Sequence, residues 1–299
     1  MKVTITGASG FVGLNLQSYL RKDHEINALK VRFENDQKFK FETDAVIHLA
    51  GKAHDLKKVS KPSDYYEANF ELTKQLFDAF LVSDATVFVF MSSVKASSDK
   101  VDGILTEENT PNPQTHYGIS KYKAEQYILS NELPEGKRVY IVRPCMIHGP
   151  GNKGNLNLLY NIVSKGIPWP LGSFENQRSF LSIENLCFVV KEMIENESII
   201  SGVYQVADDL ALSTNELIIN LCETLEKKPN ILKIPTSFIY GISRVGDFLK
   251  LPLNSERLQK LTENYVVSNN KILKAIEKPL PVSTREGLTI TFKSFKNKK

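Results

Sequence analysis

Cysteine is scarce in this 299-residue chain. Only Cys145, Cys187 and Cys222 occur, at no paired spacing. That excludes a disulfide framework and a zinc-thiolate centre, leaves no metal ion expected, and fits a reducing, cytoplasmic setting. A basic-then-apolar leader is missing after Met1, and no uninterrupted apolar run is long enough to span a bilayer. The nearest candidate, 238–251, is broken by Arg244, Asp247 and Lys250, so a half-buried helix is expected there. Charge of one sign is not in large excess either, at a net +4, and the lysines 293, 296, 298 and 299 read as a solvated tail instead of a nucleic-acid surface. Internal repeats and low-complexity segments are absent.

What is present begins at 3–13 (VTITGASGFVG), a β-branched strand followed by a glycine-rich turn and the start of a helix. Glycines at 7, 10 and 13 let the backbone turn tightly and approach a pyrophosphate, while the helix N-terminus favours its charge. Gly7, Ser9, Gly10, Phe11, Val12 and Gly13 are therefore the candidate phosphate cradle. A second strand, 25–31, ends roughly 20 residues past the last glycine, where an acid would bind the ribose of NAD. The chain has Lys30 and Arg32 there. Two cations suit a 2′-phosphate, so NADP(H) is favoured and NAD is the alternative, with Glu34 close by.

Residues 33–43 leave little room for another strand-helix pair before the strand 45–49 (AVIHL), so this sheet edge is expected to be abbreviated. Leu49, Ala50 and Gly51 end that strand on the ligand side, and His48 reads as a satisfied core residue. A helix is expected over 62–81, and the polar Asn69 within it could tie loops around a cofactor or face solvent. The continuous apolar run 86–91 predicts a buried strand, followed at once by Ser92 and Ser93. Tyr117 and Lys121, four apart near the start of the next helix, share a face. Of the 11 tyrosines only Tyr117 has a lysine four residues on. Such a phenol titrates near about 10 in water, and a neighbouring ammonium would favour its ionised form. After the strand 138–143 and Pro144 the pattern changes to loops and helices, with one strand, 202–207, returning to the sheet. Ser213 and Glu216 read as a capping box.

In this order, the Gly7/Gly10/Gly13 loop, Ser93, Tyr117 and Lys121 resemble the extended short-chain dehydrogenase/reductases, the NAD-dependent epimerase/dehydratase family. The resemblance continues through 64–73 (DYYEANFELT), 143–151 (RPCMIHGPG), 178–186 (RSFLSIENL) and 286–288. It implies an α/β fold, a Rossmann-type doubly wound parallel sheet over 1–151 with a returning segment near 179–210. A smaller α-rich, nucleotide-sugar-binding lobe would occupy most of 152–299. It also implies that Tyr117 exchanges a proton with the sugar while Ser93 orients the same oxygen. Lys121 would anchor the cofactor ribose, with Leu49, Ala50, Gly51, Asn69 and Pro144 lining the cofactor. Arg178 matches a position that contacts the nucleotide diphosphate, and Lys95, Met146 and Asn155 join Ser93 as sugar-side residues. His116 and His148 are expected to pack.

Dehydratases of the family carry an Asp-Glu pair after the active-site hydroxyl, where this chain has Val94 and Lys95, so dehydration is not expected. The segment 151–172 is similar to a bacterial subgroup acting on UDP-linked N-acetyl amino sugars for surface polysaccharide. The reading is reduction of a UDP-4-keto-6-deoxy-N-acetylhexosamine by a homodimer. A UDP-sugar 4-epimerase with tightly bound NAD is the alternative, and a non-catalytic dinucleotide sensor or scaffold a minor one.

Overall fold

Apolar runs too continuous to be one-sided call for strands covered on both faces. The computed structural model describes residues 1–52, 61–152, 156–249 and 254–296. Strand β1 (Lys2–Thr6) leads into α1 (Phe11–Leu20), β2 (Glu25–Leu29) and β3 (Ala45–His48). Next come α2 (Pro62–Tyr66), a π-helical turn (Glu67–Glu71), α3 (Leu72–Leu81), β4 (Val87–Met91), β5 (Ile104–Leu105), α4 (His116–Ser130), β6 (Arg138–Pro144) and β7 (Met146–His148). The chain continues through α5 (Leu156–Ser164), β8 (Phe180–Ser182), α6 (Ile183–Glu195), β9 (Gly202–Val206) and α7 (Thr214–Thr224). It closes with α8 (Thr236–Leu249), α9 (Ser255–Thr262), β10 (Val266–Val267), α10 (Asn270–Ile276) and α11 (Thr284–Lys296).

Six strands form one sheet in the order β2-β1-β3-β4-β6-β9, with every neighbouring pair parallel. The two-residue period of a strand sends alternate side chains to opposite cores. Ile5, Ile47, Val89 and Tyr140 join α1 and α6 on one face, whereas Val46, Phe88, Phe90 and Ile141 join α3 and α4 on the other. The sheet is thus doubly wound. Its order reverses between β1 and β3, and at such a reversal the carboxyl ends of the strands open a crevice.

The link from β2 to β3 contains no helix, which is the abbreviated edge expected from its length. Phe33, Phe39 and Phe41 fill the place a helix would take, packing on the α3/α4 side. A further hydrophobic cluster gathers α5, α7 and α11 with Trp169, Leu171 and Phe174. Ser213 caps α7 by accepting from the Glu216 N–H at 3.1 Å, and Glu216 accepts from the Ser213 N–H at 2.8 Å, so the capping box forms. All three cysteines are buried and free.

Two expectations fail. The single helix 62–81 is interrupted by the π turn, and the apolar helix near 238–251 buries only Ile239, Ser243 and Gly246, leaving most of its large side chains in water. Among the described residues no helix is long and apolar enough to cross a membrane.

Candidate active site

Three loops meet at the carboxyl end of the sheet. After β1 the backbone turns at Gly7, whose φ of 68° suits glycine, and a Cβ there would sit 2.6 Å from the Ala50 nitrogen. A Cβ on Gly13 would lie 2.4 Å from the Gly7 oxygen. These clashes show why glycine is needed where the loop folds onto α1 and onto the segment after β3. Gly10 begins α1 without a side-chain cap, so the first N–H groups of the helix face the crevice unclaimed by a cap. Gln17 braces the loop from inside by donating to the Ala8 carbonyl at 2.7 Å. Ser9 and Gly10 are exposed, Phe11 and Val12 half-buried. Phe11 reaches the turn after β7, where a Cβ on Gly149 would be 3.4 Å from its ring. The loop therefore presents a cradle shaped for a dinucleotide phosphate.

Asn69 does not face solvent. The π turn buries it completely, its carboxamide oxygen accepts from the Lys52 N–H at 2.8 Å, and its Nδ2 donates to the Lys52 carbonyl at 3.1 Å and to Ser120 Oγ at 3.0 Å. One side chain thus clamps the Leu49–Ala50–Gly51 loop to α4. His48 extends the clamp to β1: its Nδ1 lies 2.8 Å from Thr6 Oγ1 and its Nε2 3.0 Å from Thr73 Oγ1, and Thr73 donates to the Asn69 carbonyl at 2.7 Å. Burial pushes its imidazole well below the usual range, so it is the satisfied, neutral core residue expected.

Ser93, the N-cap of a short 3-10 turn after β4, accepts from the Lys95 N–H at 3.2 Å and neighbours the Tyr117 hydroxyl. Lys121, almost wholly buried, donates to the Met91 carbonyl at 2.8 Å and lies 4.8 Å from the Phe90 ring centre. A Cβ on Gly51 would come within 3.2 Å of its ammonium, so Lys121 borders the cofactor loop. The electrostatics differ from expectation. Burial raises the Tyr117 phenol, and the neighbouring Ser93 side chain acts against that. The Lys121 ammonium is itself lowered to about 8 by burial, partly offset by Glu125. That ammonium is aimed at the Met91 carbonyl and the Gly51 loop.

Behind this group lies a buried pair that the sequence reading missed. Glu125, one turn beyond Lys121, receives Nε of Arg143 at 3.0 Å, NH2 of Arg143 at 2.5 Å and the Ser92 hydroxyl. The i+4 spacing from Lys121 was the available signal, but its partner on β6 could not be seen without the fold.

Past the Ser93 turn, Lys95 donates to the Asp99 carbonyl at 2.9 Å and stands 4.2 Å over the Tyr265 ring. Burial lowers its ammonium, with Glu263 and Asp99 acting against that. Arg178 comes to the same place: it bonds the Lys260 carbonyl, approaches Glu263 to 3.7 Å and bridges Tyr265 through its backbone. Tyr265 and Glu263 lie far along the chain from Lys95, so no local pattern announces them. Met146 is half-buried against the cluster around α5 and α7, and Pro144 closes β6 in register with Val206. Asn155 lies outside the described residues. Arg32 and Lys30 are exposed just past β2, without an ion-pair partner among the described residues. His148 is buried, its Nδ1 2.9 Å from Thr291 Oγ1 on α11, and His116 meets the Tyr66 ring at the protein surface.

A dinucleotide cradle, a Ser–Tyr pair and a lysine at one crevice are a combination with known counterparts. The NAD dependent epimerase/dehydratase family matches residues 3–207. The chain belongs to this family. It is 30% identical over 321 residues to UDP-glucose 4-epimerase of Vibrio cholerae, covering 98% of this chain and 95% of that one. It is 27% identical over 292 residues to the N-acetyl-alpha-D-glucosaminyl-diphospho-ditrans,octacis-undecaprenol 4-epimerase of Escherichia coli O157:H7, covering 91% and 84%. Among solved structures, RMD from Pseudomonas aeruginosa complexed with NADPH superposes with a TM-score of 0.75 at 21% identity over 99% of each chain. As a member of the NAD-dependent epimerase/dehydratase family the protein is an enzyme with a nicotinamide dinucleotide cofactor, and the glycine cradle described above fits that group.

Proposed function

We propose that the protein reduces the C4 carbonyl of a UDP-linked 4-keto-6-deoxy-N-acetylhexosamine with NADP(H), in the cytoplasm, for surface polysaccharide. The meeting of Ser93 and Tyr117 beside the Lys121 and Gly51 end of the crevice carries this reading. When bound, the nicotinamide supplies the hydride that C4 accepts. The carbonyl oxygen then needs a proton, and Tyr117, kept in its phenol form by burial, is the donor. Ser93 hydrogen-bonds the same oxygen as charge develops there. Lys121, with a pKa of about 8, is mainly an ammonium at neutral pH and supplies the positive charge beside the crevice.

The segment Gly7 to Gly13 and the Leu49–Gly51 loop would hold the pyrophosphate and adenosine half, and Lys30 and Arg32 the 2′-phosphate. Lys95 and Arg178, drawn together at Tyr265, are suited to the substrate diphosphate. Met146, Asn155 and Pro144 complete the lining in this proposal, and pairing of two copies through α3 and α4 belongs to it as well. No Asp-Glu pair follows Ser93, which removes the acid and base that elimination of water requires.

A second reading, 4-epimerisation with retained NAD, is favoured by the 30% identical Vibrio cholerae relative. Purified enzyme given the UDP-4-keto sugar and NADPH should oxidise one NADPH per product. NAD that co-purifies, together with redox-neutral interconversion of UDP-N-acetylglucosamine and its C4 epimer, would overturn the reductase and establish the epimerase.

A further inference from the structure

Glu125 on α4 and Arg143 on β6 form an ion pair in the core behind the crevice, the first wholly buried and the second 3% exposed. Taking two ions out of water is costly, and apolar residues of similar volume often hold a core as well or better. A buried ion pair is therefore weak support for a fold, and its neighbours show what else it does.

The contacts run along three consecutive residues at the end of β4. The Met91 carbonyl accepts from Lys121, the Ser92 hydroxyl donates to Glu125, and Ser93 neighbours Tyr117. Tyr117, Lys121 and Glu125 are spaced i, i+4 and i+8, so they form one stripe of α4. Ser92 also donates its N–H at 2.8 Å to the carbonyl of Val142, the residue before Arg143 on β6. Arg143 closes the ring, its Nε 3.0 Å from one Glu125 oxygen and its NH2 2.5 Å from the other. A guanidinium fork on a carboxylate fixes direction as well as distance. Apolar packing in the same place loses uniqueness before it loses stability.

We infer that Glu125, with Arg143 and Ser92, is a positioning residue: it locks α4 in register on β4 and β6 and so fixes the spacing of Ser93 and Tyr117. The inference rests on the roles proposed above for Tyr117 and Ser93. Two variants test it. Ser92→Ala removes the link to β4 and leaves the ion pair intact; kcat should fall about tenfold as the alignment loosens. Glu125→Leu/Arg143→Met removes both charges together, so that neither is stranded, and kcat should fall about 100-fold. Glu125 also holds the Lys121 ammonium up against burial, so Ser92→Ala, which keeps the carboxylate, separates position from charge. In both variants KM, the dissociation constant for NADP(H) and the midpoint of thermal unfolding should stay near the parent values, a split that a merely structural role would not produce. Rates are read on whichever C4 conversion the parent performs, reduction with NADPH or interconversion of UDP-N-acetylglucosamine and its C4 epimer. A parent that performs neither removes the proposed roles and the inference together, whereas an active parent matched in kcat by Ser92→Ala overturns the inference alone. A loss of kcat in step with a lowered unfolding midpoint or weakened cofactor binding also overturns it, because the network is then only a brace. Should the double variant not fold, Ser92→Ala decides by the same criteria.

Discussion

Tyr117 and Lys121 sit on one face of α4 yet experience different environments. Burial raises the phenol and lowers the ammonium, so each is pushed toward its uncharged form. Replacing Tyr117 with Phe removes the proton donor but no packing volume. Turnover should fall by about 10²–10⁴-fold while the dissociation constant for NADP(H), measured by fluorescence titration, changes little. For Lys121 the shift links to stability. The folded group titrates at about 8 against 10.5 for the free side chain, so between those values the unfolded chain holds more protons and stability rises with pH. Below about 8 both states are charged and the burial cost is fully present. Lys121→Met should therefore be inactive but more stable at neutral pH, by at most roughly 3 kcal/mol, with the gap closing as pH rises past 8 in denaturant titrations. Ser93, Tyr117 and Lys121 were legible because a strand end and an i, i+4 pair are local patterns. The direction in which Lys121 points was not, since that depends on the Met91 carbonyl of a neighbouring strand.

At the scale of elements, the π turn matters most. One extra residue per turn rotates Asn69 from a helix surface into the interior, where it joins the Lys52 segment to Ser120. Apolar spacing through 62–81 gives no sign of this, because the apolar residues on either side still fall on a buried face. Asn69→Ala leaves the Lys52 backbone and Ser120 short of partners; a loss of about 1–3 kcal/mol in thermal unfolding is expected, with a several-fold weaker cofactor affinity as the Gly51 loop loosens. The β2 edge was easier to read, since 15 residues from Lys30 to Asp44 could not hold a strand and a helix. Its exposed Lys30 and Arg32 should decide the cofactor. Changing both to Glu should turn a preference for NADP(H) into one for NAD, by about tenfold or more in kcat/KM for each cofactor.

Across the whole molecule, sequence-distant segments finish what the first half begins. The residues around Tyr265 return to Lys95 and Arg178, β10 pairs with β5, and α11 reaches His148 through Thr291. The ordered motifs from Gly7 to Lys121 carried the resemblance to an α/β enzyme family, but these closures depend on tertiary packing that no spacing rule encodes. The same packing seals the sulfur atoms. Burial raises the thiol of Cys187 to about 12, that of Cys145 well above its ordinary value, and that of Cys222 in the same direction. A thiol held out of water and un-ionised gives an alkylating reagent nothing to attack. Iodoacetamide should therefore leave the native enzyme unmarked and tag it only as it breathes open, each cysteine timing the exposure of its own neighbourhood and mass spectrometry reading the three clocks separately.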